Sequence, residues 1–192
     1  MKKILVINAH PNSQTLCGAL AQHYIRGARD SGHDVKLLEL SQLRFDPILH
    51  KGYLEIQELE PDLVQAQKDI LWAEHLVFVF PMWWGTVPAL LKGFLDRAFL
   101  PGFAFKYHQN DPFWDKLLRG RSGRLIFTTD APSLWNFFIN RDPAINMMKR
   151  AVLEFCGVKP VGVTQFDSIK NRKPEELQKY LIKAEALGRR GG

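Results

Sequence analysis

Three short stretches carry the groups best suited to hold a ligand: HPNSQTLCG at residues 10–18, PMWWG at 81–85 and TTDA at 128–131. The first runs into a helix-period pattern, and the free N–H groups and macrodipole of a helix start favour a phosphate. Ser13, Gln14 and Thr15 add side-chain donors, and His10 either orients the loop or caps a strand. An ordinary N-cap turn would account for the same residues. In the second stretch Met82, Trp83 and Trp84 offer an apolar, aromatic wall, while Gly85 leaves its amide unshielded. A flat heteroaromatic ring with polar edges suits such a wall, and a lipophilic patch or subunit contact is its plainer use. In the third, Thr128, Thr129, Asp130 and Ala131 can offer hydroxyls and amides to the ring's other edge, or end a strand in a turn.

Other chemistries lack their residues. The 6 histidines show no HExxH or paired ligand spacing, so no metal site is expected. There is no GxSxG elbow, no GxGxxG and no P-loop. Cys17 and Cys156 share no CxxC spacing, which fits a reducing compartment and makes the cytoplasm the expected location. Glu55, Glu58, Glu60 and Asp62 read as a solvated segment ahead of a helix.

A chain of 192 residues, 46% hydrophobic and 24% charged, suits a single domain spanning 1–192 that needs no disulfide. The net charge of +6 comes from scattered basic residues, the tightest cluster being Arg119, Arg121 and Arg124. This pattern argues against nucleic acid and is compatible with an anionic ligand. The opening MKKILVINAH holds an apolar run too short for a signal peptide, and no run approaches the length of a membrane span, so no membrane insertion is expected.

The elements that must position these stretches alternate along the chain. Strands are expected at Lys3–Asn8, Asp34–Leu38, Leu76–Phe80, Arg124–Thr129 and Val158–Phe166. Helices are expected from about Leu16 to Gly32, from Pro61, from Pro88, over Ala144–Phe155 and from Pro174. Strand–helix alternation of this kind predicts an α/β three-layer sandwich of the flavodoxin-like type, with a five-stranded parallel sheet in the order 2-1-3-4-5. Ligands of such sheets sit beyond the carboxyl ends of the strands at the switch point between strands 1 and 3, where all three stretches converge.

The chain resembles the flavin-dependent NAD(P)H:quinone oxidoreductases, the DT-diaphorase family. The resemblance rests on AHP at 9–11, FDPI at 45–48, and the block from 80 to 105 with its FP, WWG, VPALLKGFLDR and FLPGFAF pieces. It implies a flavin phosphate in the loop of His10, Thr15, Leu16 and Cys17. The ring would lie against Pro81, Met82, Trp83, Trp84 and Gly85, with Thr128, Thr129, Asp130 and Ala131 along its pyrimidine edge. It also implies a homodimer in which Phe105 and Tyr107 close the partner's pocket, with Trp84 and Trp135 also near the acceptor. NADPH or NADH and a quinone-like acceptor would occupy one stacking position in turn.

Asp130 and Ala131 stand where better-known members have two glycines, and Asn136 and Asp142 where those members have a tyrosine and a histidine, so the family's proton relay does not carry over. Beside a reduced flavin, Asp130 must either raise its pKa or turn away. The positions that hold the adenosine of FAD in some members fall on Gly102 and on a Leu177 neighbourhood without arginine, which favours FMN over the alternative, FAD. The resemblance leaves two other roles: a regulatory flavoprotein subunit of a potassium efflux transporter, and a flavodoxin-like electron carrier.

Overall fold

The computed structural model describes residues 1–132, 138 and 141–192. In chain order the elements are β1 (Lys3–Asn8), α1 (Leu16–Asp30), β2 (Asp34–Glu39), α2 (Pro61–Trp72), β3 (His75–Pro81) and α3 (Ala89–Ala98). Then come β4 (Phe105–Tyr107), β5 (Trp114–Lys116), β6 (Ser122–Thr128), α4 (residues 143–156), β7 (Val161–Phe166) and α5 (Pro174–Arg190). The sheet order is β2-β1-β3-β6-β7, every pair parallel, so the expected flavodoxin-like order holds when the sheet strands alone are counted.

Each sheet face buries its own apolar cluster, as helices on both sides require. On one face Leu63, Ala66 and Ile70 of α2, Leu91 and Phe94 of α3, and Met148 and Leu153 of α4 pack on Leu5, Phe78, Phe80 and Phe127. On the other, Leu20, Tyr24 and Ala28 of α1 and Ala184 of α5 cover Ile4, Val6, Val77 and Ile126. β3 is buried along its whole length, the central position expected of a wholly apolar strand.

Several details depart from the sequence reading. The last strand starts at Val161 rather than Val158, because Val158 N–H is taken by Leu153 O and Lys159 N–H by Arg121 O before the ladder begins. The fourth sheet strand covers Ser122–Thr128 instead of starting at Arg124. Between α3 and β6 the chain adds an antiparallel hairpin, β4 with β5, outside the main sheet. Within α4, Asn146–Glu154 is π-helical, and its buried Met148 and Leu153 lie five residues apart, a spacing that suits the wider coil.

Candidate functional site

The carboxyl ends of β1, β3 and β6 lie side by side, and each feeds one of the three expected stretches. After β1, the loop is wound by its own side chains: Asn12 N–H donates to His10 Nδ1 (2.9 Å), Gln14 N–H to Asn12 Oδ1 (2.8 Å), and Thr15 Oγ1 to Asn12 O (3.2 Å). Thr15 occupies the N-cap of α1, yet its side chain makes no capping bond. The first helical bond runs from Ala19 N–H to Thr15 O, so the amides of Leu16, Cys17 and Gly18 open the helix with no capping side chain over them. A β-carbon at Gly18 would stand 1.9 Å from Ser13 O, so only glycine lets the loop fold this tightly onto the helix start.

After β3, Met82 N–H donates to Thr128 O (2.7 Å), tying the aromatic stretch to β6. Trp83 and Thr86 exchange backbone bonds of 3.0 and 2.9 Å around a two-residue tip in which Trp84 (φ 51°) and Gly85 (φ 73°) are both left-handed. Such a turn favours Asn-Gly, so a tryptophan at its first position is strained. The Trp84 side chain is fully exposed at this tip. Trp83 is held from the neighbouring loop by His10, whose ring meets it edge-on at 5.5 Å. Burial keeps the His10 imidazole below its usual pKa.

After β6, both threonines are buried and their hydroxyls are engaged. Thr128 Oγ1 lies 3.4 Å from Cys17 Sγ, joining β6 to the first turn of α1, and Thr129 Oγ1 accepts Ala131 N–H at 3.2 Å. Burial raises the Cys17 thiol to about 11, so it is a packing group here and not a nucleophile. Asp130 turns away from the other two stretches: its carboxylate accepts Lys170 N–H at 3.0 Å and sits 3.3 Å from Lys170 Nζ. Of the two behaviours open to Asp130, the structure adopts this one.

The sequence matches the flavodoxin-like fold family over residues 2–187. It is 30% identical over 174 residues to an uncharacterized NAD(P)H oxidoreductase of Haemophilus influenzae, with 86% of this chain and 83% of that one covered. The chain belongs to the flavodoxin-like fold family. It is also 30% identical over 183 residues to the quinone-type NAD(P)H dehydrogenase of Cavia porcellus, covering 82% of this chain but only 65% of that longer protein. The NAD(P)H:quinone oxidoreductase of Methanothermobacter marburgensis shares the fold with a TM-score of 0.84 at 20% identity, over 100% of this chain and 99% of that one.

Within this flavodoxin-like frame, Phe105 and Tyr107 stand apart from the tryptophan turn. They line a cleft of about 350 Å³ between α3 and α4, with Tyr53, Phe99 and Phe155. Trp135 and Asn136 lie outside the described residues, and Asp142 begins α4 by accepting Asn146 N–H at 2.9 Å. Two site residues escaped the sequence reading. Asn8, fully buried at the end of β1, donates to Glu39 at the end of β2 (2.8 Å), and desolvation raises the Glu39 pKa against that bond. Their one sequence signal was an asparagine closing an otherwise apolar strand.

Proposed function

We propose that the protein is an NAD(P)H-dependent flavin oxidoreductase that reduces quinones or similarly flat acceptors by two-electron ping-pong transfer, with FMN as its cofactor. The observation that carries this reading is the uncapped start of α1 opening beside the strained Trp84 turn: an anion site and an aromatic shelf at one switch point. The residues fit a flavin mononucleotide. Amides of Leu16, Cys17 and Gly18 would receive the phosphate, with Ser13 and Thr15 beside them. Pro81, Met82, Trp83, Trp84 and Gly85 would wall the ring, and backbone from Thr128 to Ala131 would border its pyrimidine edge.

A bound flavin would supply the two-electron redox chemistry that links NADPH or NADH to the acceptor. The chain's part is to hold that ring in place, keep water off it and leave one face for donor and acceptor in turn. With Asp130 drawn to Lys170, no carboxylate of this loop faces the ring's edge, which spares a reduced, anionic ring repulsion.

FMN rather than FAD follows from what lies past the phosphate loop. A cavity of about 1040 Å³ continues from Ser13 and Gln14 to Glu39, Gln42 and the first turns of α5. No lysine or arginine lines it, and Glu39 would repel a second phosphate. Arg172, just ahead of α5, has its guanidinium bound by Asp167 (3.0 Å) and Glu176 (2.9 Å).

The whole chain, 1–192, acts in this reading as one unit in the cytoplasm, and among the described residues no helix is long and apolar enough to cross a membrane. Exposed Tyr107 and Tyr53 bordering the α3–α4 cleft support a homodimer in which Tyr107 reaches the partner's site. The deciding experiment is a visible spectrum of the purified protein before and after anaerobic NAD(P)H, with the released cofactor identified by chromatography. FMN bands that bleach on addition are expected; a protein that holds and takes up no flavin overturns the reading.

A further inference from the structure

At the opposite end of the sheet from the tryptophan turn, a cavity of about 350 Å³ is lined by Lys116, Arg119, Gly120, Gly157 and Lys159. It lies where β5 leads toward β6 and where α4 gives way to β7. The ordinary explanation for cations here is that they neutralise the carbonyl end of α4. The hydrogen bonds make that unnecessary. Leu153 O already accepts Val158 N–H (2.8 Å), Glu154 O accepts Gly157 N–H (3.2 Å), and Cys156 O accepts Leu118 N–H (3.0 Å). Phe155 O accepts Trp114 Nε1–H at 2.9 Å. Lys116 makes a 3.5 Å contact to Glu154 O and lies 5.3 Å over the Trp114 ring, whereas Arg119 and Lys159 are not needed by the helix.

Nor do carboxylates neutralise them. Among the described residues, Lys116, Arg119 and Lys159 have no ion-pair partner, whereas Lys36, Lys92, Arg97 and Arg172 each do. The nearby Arg121 is differently used, donating to Ile70 O (3.1 Å) and Leu71 O (2.8 Å) at the end of α2. The frame around the cations is fixed: Leu118 is pinned to α4, and Lys159 N–H is pinned to Arg121 O at 2.9 Å. Gly157 (φ 98°) permits the close approach, since a β-carbon there would meet Arg119 Cγ at 2.8 Å and Lys116 Cβ at 2.9 Å.

We infer that this cavity is a second anion site, taking a phosphate or diphosphate group through Arg119 and Lys159 with Lys116 behind them. Three unneutralised cations on a rigid frame match a doubly charged oxyanion, and the guanidinium of Arg119 can meet two of its oxygens at once. The group comes either on a free small molecule or as a lipid headgroup.

The test uses the chain 1–192 loaded with flavin. Inorganic diphosphate is titrated by calorimetry, and sedimentation is measured with phosphatidylcholine vesicles with and without phosphatidic acid. Saturable diphosphate binding that weakens at least about tenfold (about 1.4 kcal/mol) in the Arg119→Gln/Lys159→Gln variant is the expected result for a free ligand. Binding to the phosphatidic acid vesicles that is lost in the same variant identifies the headgroup source. No saturable binding to either, or binding equal in wild type and variant, overturns the site. Unchanged flavin content and melting temperature in the variant establish that the fold is intact, and a Lys92→Gln control, which removes a charge elsewhere, is expected to bind as wild type.

Discussion

At Trp84 conformation and chemistry oppose each other. A left-handed backbone at a bulky residue costs about 1 kcal/mol, and the exposed ring recovers none of it within its own chain. Trp84→Asn, which tolerates that conformation, is therefore expected to stabilise the flavin-free protein by about 1 kcal/mol in urea. The same change should raise the acceptor KM several-fold through the lost stacking, worth about 0.5–1.5 kcal/mol. A variant that is no more stable and equally active would show that the ring serves neither purpose. Gly18 tests the other half of the site. Gly18→Ala drives a methyl into Ser13 O and must push the proposed phosphate loop off the helix start. Purified protein with wild-type folding but little bound flavin is expected, and full occupancy would place the phosphate elsewhere.

Among the elements, α3 shows how the long β2–α2 connection is held. Arg97 is 0% exposed, and its guanidinium donates to Asp46 O, to Glu58 O (2.9 Å) and to Glu60 Oε2 (2.9 Å). Of the segment read from sequence as solvated and acidic, Glu55 and Glu58 are exposed, while the Glu60 carboxylate and the Glu58 carbonyl serve the buried guanidinium, a pairing that a local charge pattern could not supply. Arg97→Lys keeps the charge but loses the planar geometry, and a cost of about 2 kcal/mol in urea unfolding is expected; an unaltered midpoint would mean that the connection holds itself. The five sheet strands were legible because continuous apolar runs between helix starts leave few alternatives. The β4–β5 hairpin was not, since each strand is three residues long and its partner is set by tertiary contact. That the three candidate stretches follow neighbouring strand ends was legible from the order of the elements, whereas the Asn8–Glu39 pair joins elements 31 residues apart and depends on the parallel register of β1 with β2.

For the molecule as a whole, acid is the condition that should loosen it first, and His75 supplies a reason. Its ring is buried at the amino end of β3, with Nδ1 2.7 Å from Ser122 Oγ and Nε2 without a partner among the described residues. Burial, and then the charges of Lys2, Arg124 and His33, depress its pKa to about 3. Folded His75 therefore stays neutral where the unfolded chain binds a proton. Its contribution is fully present above the ordinary imidazole pKa and is lost as pH falls from there toward about 3, at up to about 1.4 kcal/mol per pH unit. Half-buried His10 acts in the same direction, and the depressed carboxylates of Asp46, Glu60 and Glu176 act at lower pH. A comparison of urea stability between wild type and His75→Gln, from neutral pH to just above the carboxylate range, isolates the one residue. The wild-type curve should fall more steeply with acid than the variant's, whatever their difference at neutral pH. Parallel curves would mean that His75 takes up its proton in the folded state, and that the amino end of the sheet opens to water more readily than its packing implies.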